Sequence, residues 1–231
     1  MALEVLPLHL ATFTFPEGTP KLAGQTGEVL GFAVRHRRGI VLFDTGIGEG
    51  SELVDRFYRP VRRSLVDALA DHDHALADVT AIVNSHLHFD HCGNNALLPG
   101  VPIYVQEGEL TAARAPRYTV PDWVDFPGAE YRVIDGSAAV HDGIRVLATP
   151  GHTSGHQSVV VDAGEDAPVV LAGQAVYTRA EYAHIAEHRS LPQDDDDAGA
   201  PDDRYLASAL TLVDLGPRRV HFSHDAAVWT G

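Results

Sequence analysis

Four side chains able to bind a metal ion fall within six consecutive residues, His86-Leu87-His88-Phe89-Asp90-His91. On an extended segment residues two apart point to one side, so His86 and His88 can reach a single ion. If the chain then turns, Asp90 and His91 are redirected toward a neighbouring position, and Gly93-Asn94-Asn95 supplies turn-forming residues. A second cluster is Pro150-Gly151-His152-Thr153-Ser154-Gly155-His156. A histidine from it would complete three imidazoles with one open position, the arrangement of catalytic zinc. His224, in Phe222-Ser223-His224-Asp225, is a further candidate.

These groups need rigid elements to hold them, and each follows an apolar run of strand character. The runs are Val79–Asn84, Ile144–Thr149 and Arg219–Phe222. Loops at strand ends then present a site along one edge of a sheet. Further strands are expected at Glu4–Phe15, Val29–His36, Gly39–Asp44, Val101–Val105, Tyr131–Ile134, Ser158–Asp162 and Val169–Ala172. Helical spacing predicts Val61–Ala70, with Leu65, Val66 and Leu69 on one face, and also Glu107–Ala113, Glu181–His188 and Asp203–Leu215. Strands dominate both halves with helices between them, an α/β sandwich in one domain spanning 1–231. Pro116–Gly128 carries three prolines and the aromatics Tyr118, Trp123 and Phe126. It reads as a surface loop or lid, and with Tyr177 it suggests an apolar pocket. The acidic run Asp194–Asp197 reads as a solvated loop, because the glycine and glutamate spacing of a calcium loop is missing.

Composition narrows the function. The chain has 231 residues, 17 basic against 32 acidic side chains, a formal charge of −15, 14 histidines and a single cysteine. The acidic excess argues against nucleic acid and anionic membrane as partners. Cys92 has no internal disulfide partner and is expected as a small buried residue. No apolar run reaches membrane-spanning length and the N-terminus lacks a secretory pattern, which points to the cytoplasm. Two other chemistries fail on spacing. Ser154 stands three residues after Gly151, where a nucleophile elbow needs two, and Gly46-Ile47-Gly48 lacks the final glycine of a dinucleotide loop.

HLHFDH followed by GHTSGH and FSHD resembles the metallo-β-lactamase superfamily of metallohydrolases, from about Val29 to Asp225. SHLHFDHCGNN, TPGHTSGHQS and the Ala175–Tyr177 triplet look most like the N-acyl homoserine lactonases within it. The resemblance implies an αββα sandwich of the metallo-β-lactamase type, holding one or two zinc ions, with manganese, iron or cobalt as alternatives. It assigns His86, His88 and His152 to the first ion and Asp90, His91 and His224 to the second. Asp44 matches an early aspartate that supports these ligands. Metal-bound hydroxide would open a lactone or similar ester, with Tyr177 donating to a substrate oxygen and Asp90 as proton shuttle. Flavin-linked diiron relatives do not fit, since they carry glutamate where this chain has His88.

One position departs from the pattern. Where the family places a bridging aspartate, this chain reads Leu171-Ala172-Gly173-Gln174-Ala175. A neutral amide cannot bridge two cations with a negative charge, so the second site is expected to be weaker. Alternative functions are thioester hydrolysis, as in glyoxalase-like relatives, and a pseudoenzyme that binds a metabolite. The expected partner is a small molecule with an apolar portion, and the chain is a monomer or homodimer. His156 is either a donor that orients a ligand or a structural residue.

Overall fold

The computed structural model describes residues 3–19, 22–164, 167–192 and 203–231, so the Asp194–Asp197 run lies outside the described residues. In chain order the first half comprises β1 (Glu4–Thr14), β2 (Thr26–His36), β3 (Gly39–Phe43), α1 (Glu52–Tyr58), β4 (Val61–Arg62), α2 (Leu65–Ala70), β5 (Val79–Val83), β6 (Pro102–Gln106), α3 (Glu107–Ala113), α4 (Pro121–Val124) and β7 (Glu130–Ile134). Its strands form a seven-stranded sheet in the order β4-β1-β2-β3-β5-β6-β7. The second half comprises β8 (Ala138–His141), β9 (Ile144–Ala148), β10 (Gln157–Val161), β11 (Val169–Leu171), α5 (Arg179–His188), α6 (Asp203–Asp214), β12 (Arg219–His221) and β13 (Trp229–Thr230). These strands form a six-stranded sheet in the order β13-β12-β11-β10-β9-β8.

Alternation along the strands makes the layers, because successive side chains leave opposite faces. Val41, Phe43, Ala81 and Val83 pack against Val146, Val159, Val161 and Leu171 of the other sheet. Ile40, Leu42 and Ile82 face the other way, onto Leu65 and Leu69 of α2 and Leu110 of α3. On the second sheet Val160, Val170 and Val220 meet Tyr182 and Ile185 of α5 and Ala209 and Leu212 of α6. The order of layers is therefore helix, sheet, sheet, helix, as the αββα expectation has it.

Parallel pairing sets the edge that matters. β3, β5 and β6 run parallel, as do β11 and β12. β9 and β11 both run antiparallel to β10. The carboxyl ends of β3 and β5, and those of β9, β11 and β12, accordingly gather within their sheets, and the loops leaving them carry the candidate residues.

Two elements differ from the sequence reading. The helix expected at Val61–Ala70 begins only at Leu65, with the Ser64 side chain accepting from Val66 N. Val61 and Arg62 instead pair with Thr12 and Ala11 as an edge strand. Leu65, Ala68 and Leu69 are buried while Val66 is 46% exposed, because Val66 is turned about 100° from Leu65 around the helix and off its inward face. Pro116–Gly128 runs over the surface as expected of a loop, but with its apolar side chains turned inward. Pro121 opens α4, and Trp123, Val124 and Phe126 are buried in the core over the first sheet. A Cβ on Gly48 would meet the Trp123 ring at 2.7 Å, so the glycines of Gly46-Ile47-Gly48 serve close packing. No helix among the described residues is long and apolar enough to cross a membrane.

Candidate metal centre

Asp44 begins the site. It follows β3 with a left-handed φ of 61°, a conformation that aspartate tolerates better than most residues. That turn aims its buried carboxylate at the loop after β5. Oδ1 accepts from Ser85 N at 2.7 Å, and Oδ2 accepts from Ser85 Oγ at 2.8 Å and His91 Nδ1 at 2.8 Å. Ser85 Oγ, having given its proton to Asp44, accepts from His86 Nδ1 at 3.0 Å. One carboxylate thus places a proton on Nδ1 of both His86 and His91 and turns each Nε2 toward the site, where an ion would take its lone pair.

Three imidazole nitrogens converge. His86 Nε2 lies 3.0 Å from His88 Nδ1, and His152 Nε2 lies 3.2 Å from both. Ligands about 2.0–2.1 Å from one tetrahedral zinc stand about 3.3 Å apart, so these three nitrogens are spaced for an ion between them. Alongside, Asp90 Oδ2 lies 3.5 Å from His91 Nε2 and 3.6 Å from His224 Nε2. His224 Nδ1 donates to Glu28 O at 2.6 Å, which directs its Nε2 inward. Each trio has its donor atoms within 4.8 Å of one another. His91 Nε2 and Gln174 Oε1 are buried without a hydrogen-bond partner among the described residues. Of these two, His91 Nε2 belongs to the second trio, where an ion would give it a partner.

Charge follows the same logic. Burial, aided by the neighbouring imidazoles, holds His86 and His88 below the usual histidine range and His152 down to about 2; neutral imidazole is the form that binds metal. Burial pushes the Asp90 carboxyl up, but His91, His224 and His88 outweigh it and hold it well below the usual range. Burial lowers His91, yet Asp90 and Asp44 overcome this and raise it to about 10. Without a cation, then, an imidazolium lies between two carboxylates.

Gln174 follows β11 on Gly173, whose φ is 63°. Its backbone N donates to His156 Nε2 at 2.9 Å, while His156 Nδ1 lies 3.0 Å from Thr149 O. His156 therefore ties the corner after β11 to the end of β9, and its structural reading stands over the ligand-orienting one. Tyr177 Oη lies 2.8 Å from His152 Nδ1, and its ring faces that of His224 at 6.2 Å, so Tyr177 stands between the trios. Burial keeps its hydroxyl protonated well above the ordinary range. Cys92 is buried, and burial raises its thiol likewise.

Two features went unseen in the sequence. Phe13, Tyr58 and Phe89 form an aromatic wall, with Tyr58 stacked on Phe89 at 4.1 Å and Phe13 edge-on to His224 at 6.2 Å. Of the Pro116–Gly128 aromatics only Tyr118 reaches the trios, 4.8 Å from the His88 ring. Glu109, fully buried on α3, is the other. Phe89 lies inside the histidine motif and signals only itself; Phe13 and Tyr58 sit in segments with no local pattern.

The buried histidines set a pH dependence for the metal-free protein. His156 is lowered to about 3 by burial, so below its unfolded value of about 6.5 the unfolded chain binds the extra proton. The contribution of His156 alone then falls with pH from about 6.5 down to 3, by about 1.4 kcal/mol per unit at most. His91 acts oppositely: its contribution is complete below about 6.5 and is lost as pH rises to about 10. Thermal melts without metal should peak near pH 6.5, and a Tm flat from pH 5 to 8.5 would contradict these assignments.

Against known proteins, the chain is 38% identical over 105 residues to an N-acyl homoserine lactonase of a Bacillus species, 46% of this chain and 42% of that protein. It is 31% identical over 173 residues to the N-acyl homoserine lactonase AttM of Rhizobium radiobacter, 67% of this chain and 58% of that one. These matches span about half the length of the curated relatives. Among solved structures, a mutant of Bacillus thuringiensis AiiA with N-decanoyl-L-homoserine bound at its active site superposes with a TM-score of 0.74 at 24% identity, over 97% of this chain and 93% of that one. The dizinc lactonase AidC superposes with a TM-score of 0.67 at 17% identity, covering 99% and 90%. At these identities the two structures speak for the fold. The family model of the metallo-beta-lactamase superfamily matches residues 26–224, and with that span enclosing both trios, the chain belongs to this superfamily.

Proposed function

We propose that the chain is a metal-dependent hydrolase that opens the ester of an N-acyl lactone. The observation that carries this reading is the position of Tyr177, its hydroxyl on His152 and its ring against His224. In this reading His86, His88 and His152 hold one ion and Asp90, His91 and His224 a second, with zinc suited to imidazole and carboxylate donors. A bound ion supplies Lewis acidity and brings the pKa of a coordinated water toward about 7.

The chain's own residues do the rest. His152, holding an ion through Nε2, carries its proton on Nδ1 and donates it to Tyr177 Oη. The Tyr177 hydroxyl proton is then free for the lactone carbonyl or leaving oxygen. Asp90, kept ionised by its histidine neighbours, accepts the proton of the attacking water and returns it to the leaving alkoxide. The wall of Phe13, Tyr58 and Phe89 receives the acyl portion, in place of the Pro116–Gly128 segment first expected to line an apolar pocket. The lactonase relatives support the substrate class.

The test is turnover with added zinc, manganese or cobalt on N-acyl homoserine lactones, acyl thioesters and aryl esters. Lactones should be hydrolysed fastest, and Phe89→Ala should raise KM for long acyl chains more than for short ones. A preference for thioesters would favour the glyoxalase-like alternative. No turnover by fully metal-loaded protein would favour a binding protein, and equal KM effects would remove Phe89 from the pocket.

A further inference from the structure

Glu109 is a fully buried carboxylate on α3 that meets no Lys or Arg among the described residues. Its oxygens accept from three separate segments. Oε1 takes Leu87 N at 2.8 Å and the Tyr118 hydroxyl, and Oε2 takes Thr153 Oγ1 at 2.7 Å. Leu87 N belongs to the peptide between His86 and Leu87, which His88 follows, and Thr153 follows His152 directly. Packing reinforces the link, since a Cβ on Gly155 would collide with the Glu109 backbone nitrogen. The start of α3 is therefore pressed onto the loop that carries His152.

The trio His86, His88 and His152 consists of neutral donors. A divalent ion held there keeps its full charge unless a carboxylate lies nearby, and a buried carboxylate satisfied only by neutral donors carries the opposite deficit. Asp44 serves His86 through Ser85 on one side; on the other Glu109 grips the His86–Leu87 peptide and the Thr153 hydroxyl. We propose that Glu109 is a positioning residue which fixes this trio for its ion and supplies the negative charge that the three imidazoles lack. The inference rests on the metal-binding reading of the site and deepens it.

Glu109→Gln removes the charge and keeps an oxygen for Leu87 N, while the Thr153 hydroxyl can turn to accept from the new amide. Zinc affinity of the tighter site, measured by chelator competition, should fall about 10- to 100-fold, with the metal-free Tm close to wild type. The visible spectrum of the cobalt-loaded protein should keep its tetrahedral bands. Thr153→Val cuts one tie and leaves the charge, so its zinc affinity should stay within a few-fold of wild type. Wild-type affinity in Glu109→Gln, or equal losses in both variants, would overturn the charge role. Should Glu109→Gln not fold, the same loss is expected in Glu109→Ala with its metal-free Tm as reference, and an unchanged affinity there would also overturn it. Wild-type protein that binds no zinc would instead defeat the metal reading itself.

Discussion

Asp44→Asn is expected to cost at least a hundredfold in the proposed hydrolytic activity, with little disturbance of the backbone. Asparagine tolerates the left-handed φ of 61° at this position, so the damage is electronic. Asp44 accepts from Ser85 N, Ser85 Oγ and His91 Nδ1, whereas an amide has one accepting oxygen. If that oxygen keeps Ser85 N, the amide nitrogen faces His91 Nδ1 and drives its proton to Nε2. An imidazole protonated there cannot take an ion beside Asp90. The wrong tautomer of a catalytic histidine costs about 10⁴ in rate in a serine protease, and loss of a supporting carboxylate costs about 10- to 100-fold in metal affinity. Activity together with metal content per chain checks this. Retention of more than a tenth of wild-type activity with both ions bound would show that Asp44 does not set the tautomers.

The second large effect should come from placing at position 174 the carboxylate that the family resemblance implies there. Gln174→Asp is expected to tighten the weaker ion by about 100-fold, or about 2.7 kcal/mol. Unit charges about 4 Å apart in a partly screened site interact by about 4 kcal/mol, so a gain of this size leaves room for the cost of burying the new charge. Gln174 Oε1 is buried with no partner among the described residues, so a carboxylate oxygen in its place would break no hydrogen bond of that oxygen. Titration of metal-free protein with zinc, read by calorimetry, should show about two tight ions in the variant against one tight and one weak in the wild type. If the variant bound no more zinc and no more tightly, the amide is not what weakens the second position.

The histidines were legible because their spacing is local. His86, His88 and His91 follow one strand closely enough for the strand and turn to be read together, and His152 and His224 each stand just past another strand. Glu109 was invisible for the opposite reason. Its partners Leu87 and Thr153 are 22 and 44 residues away, and a glutamate on a short helix looks like any surface residue. The Pro116–Gly128 aromatics were misjudged because prolines signal irregular backbone, and irregular backbone is usually exposed. Here Pro121 begins a helical turn whose side chains cover the first sheet, a matter of tertiary packing that composition does not report. The short strands β8 and β13 escaped notice as well, being defined by their pairing with β9 and β12 more than by their own residues.

The division of the trios between the two sheets has a consequence for how the protein comes together. His86 and His88 leave the first sheet, while His152, 66 residues beyond His86, leaves the second. Asp90 and His91 likewise await His224, which is anchored on Glu28 across 196 residues. Neither half alone offers a complete coordination set, so a cation bound across the seam favours the docked pair of sheets over the separated ones. It acts as a reversible clasp, adding stability in proportion to the logarithm of its free concentration over its dissociation constant. The free metal concentration would thereby set part of the equilibrium stability of the docked sheets.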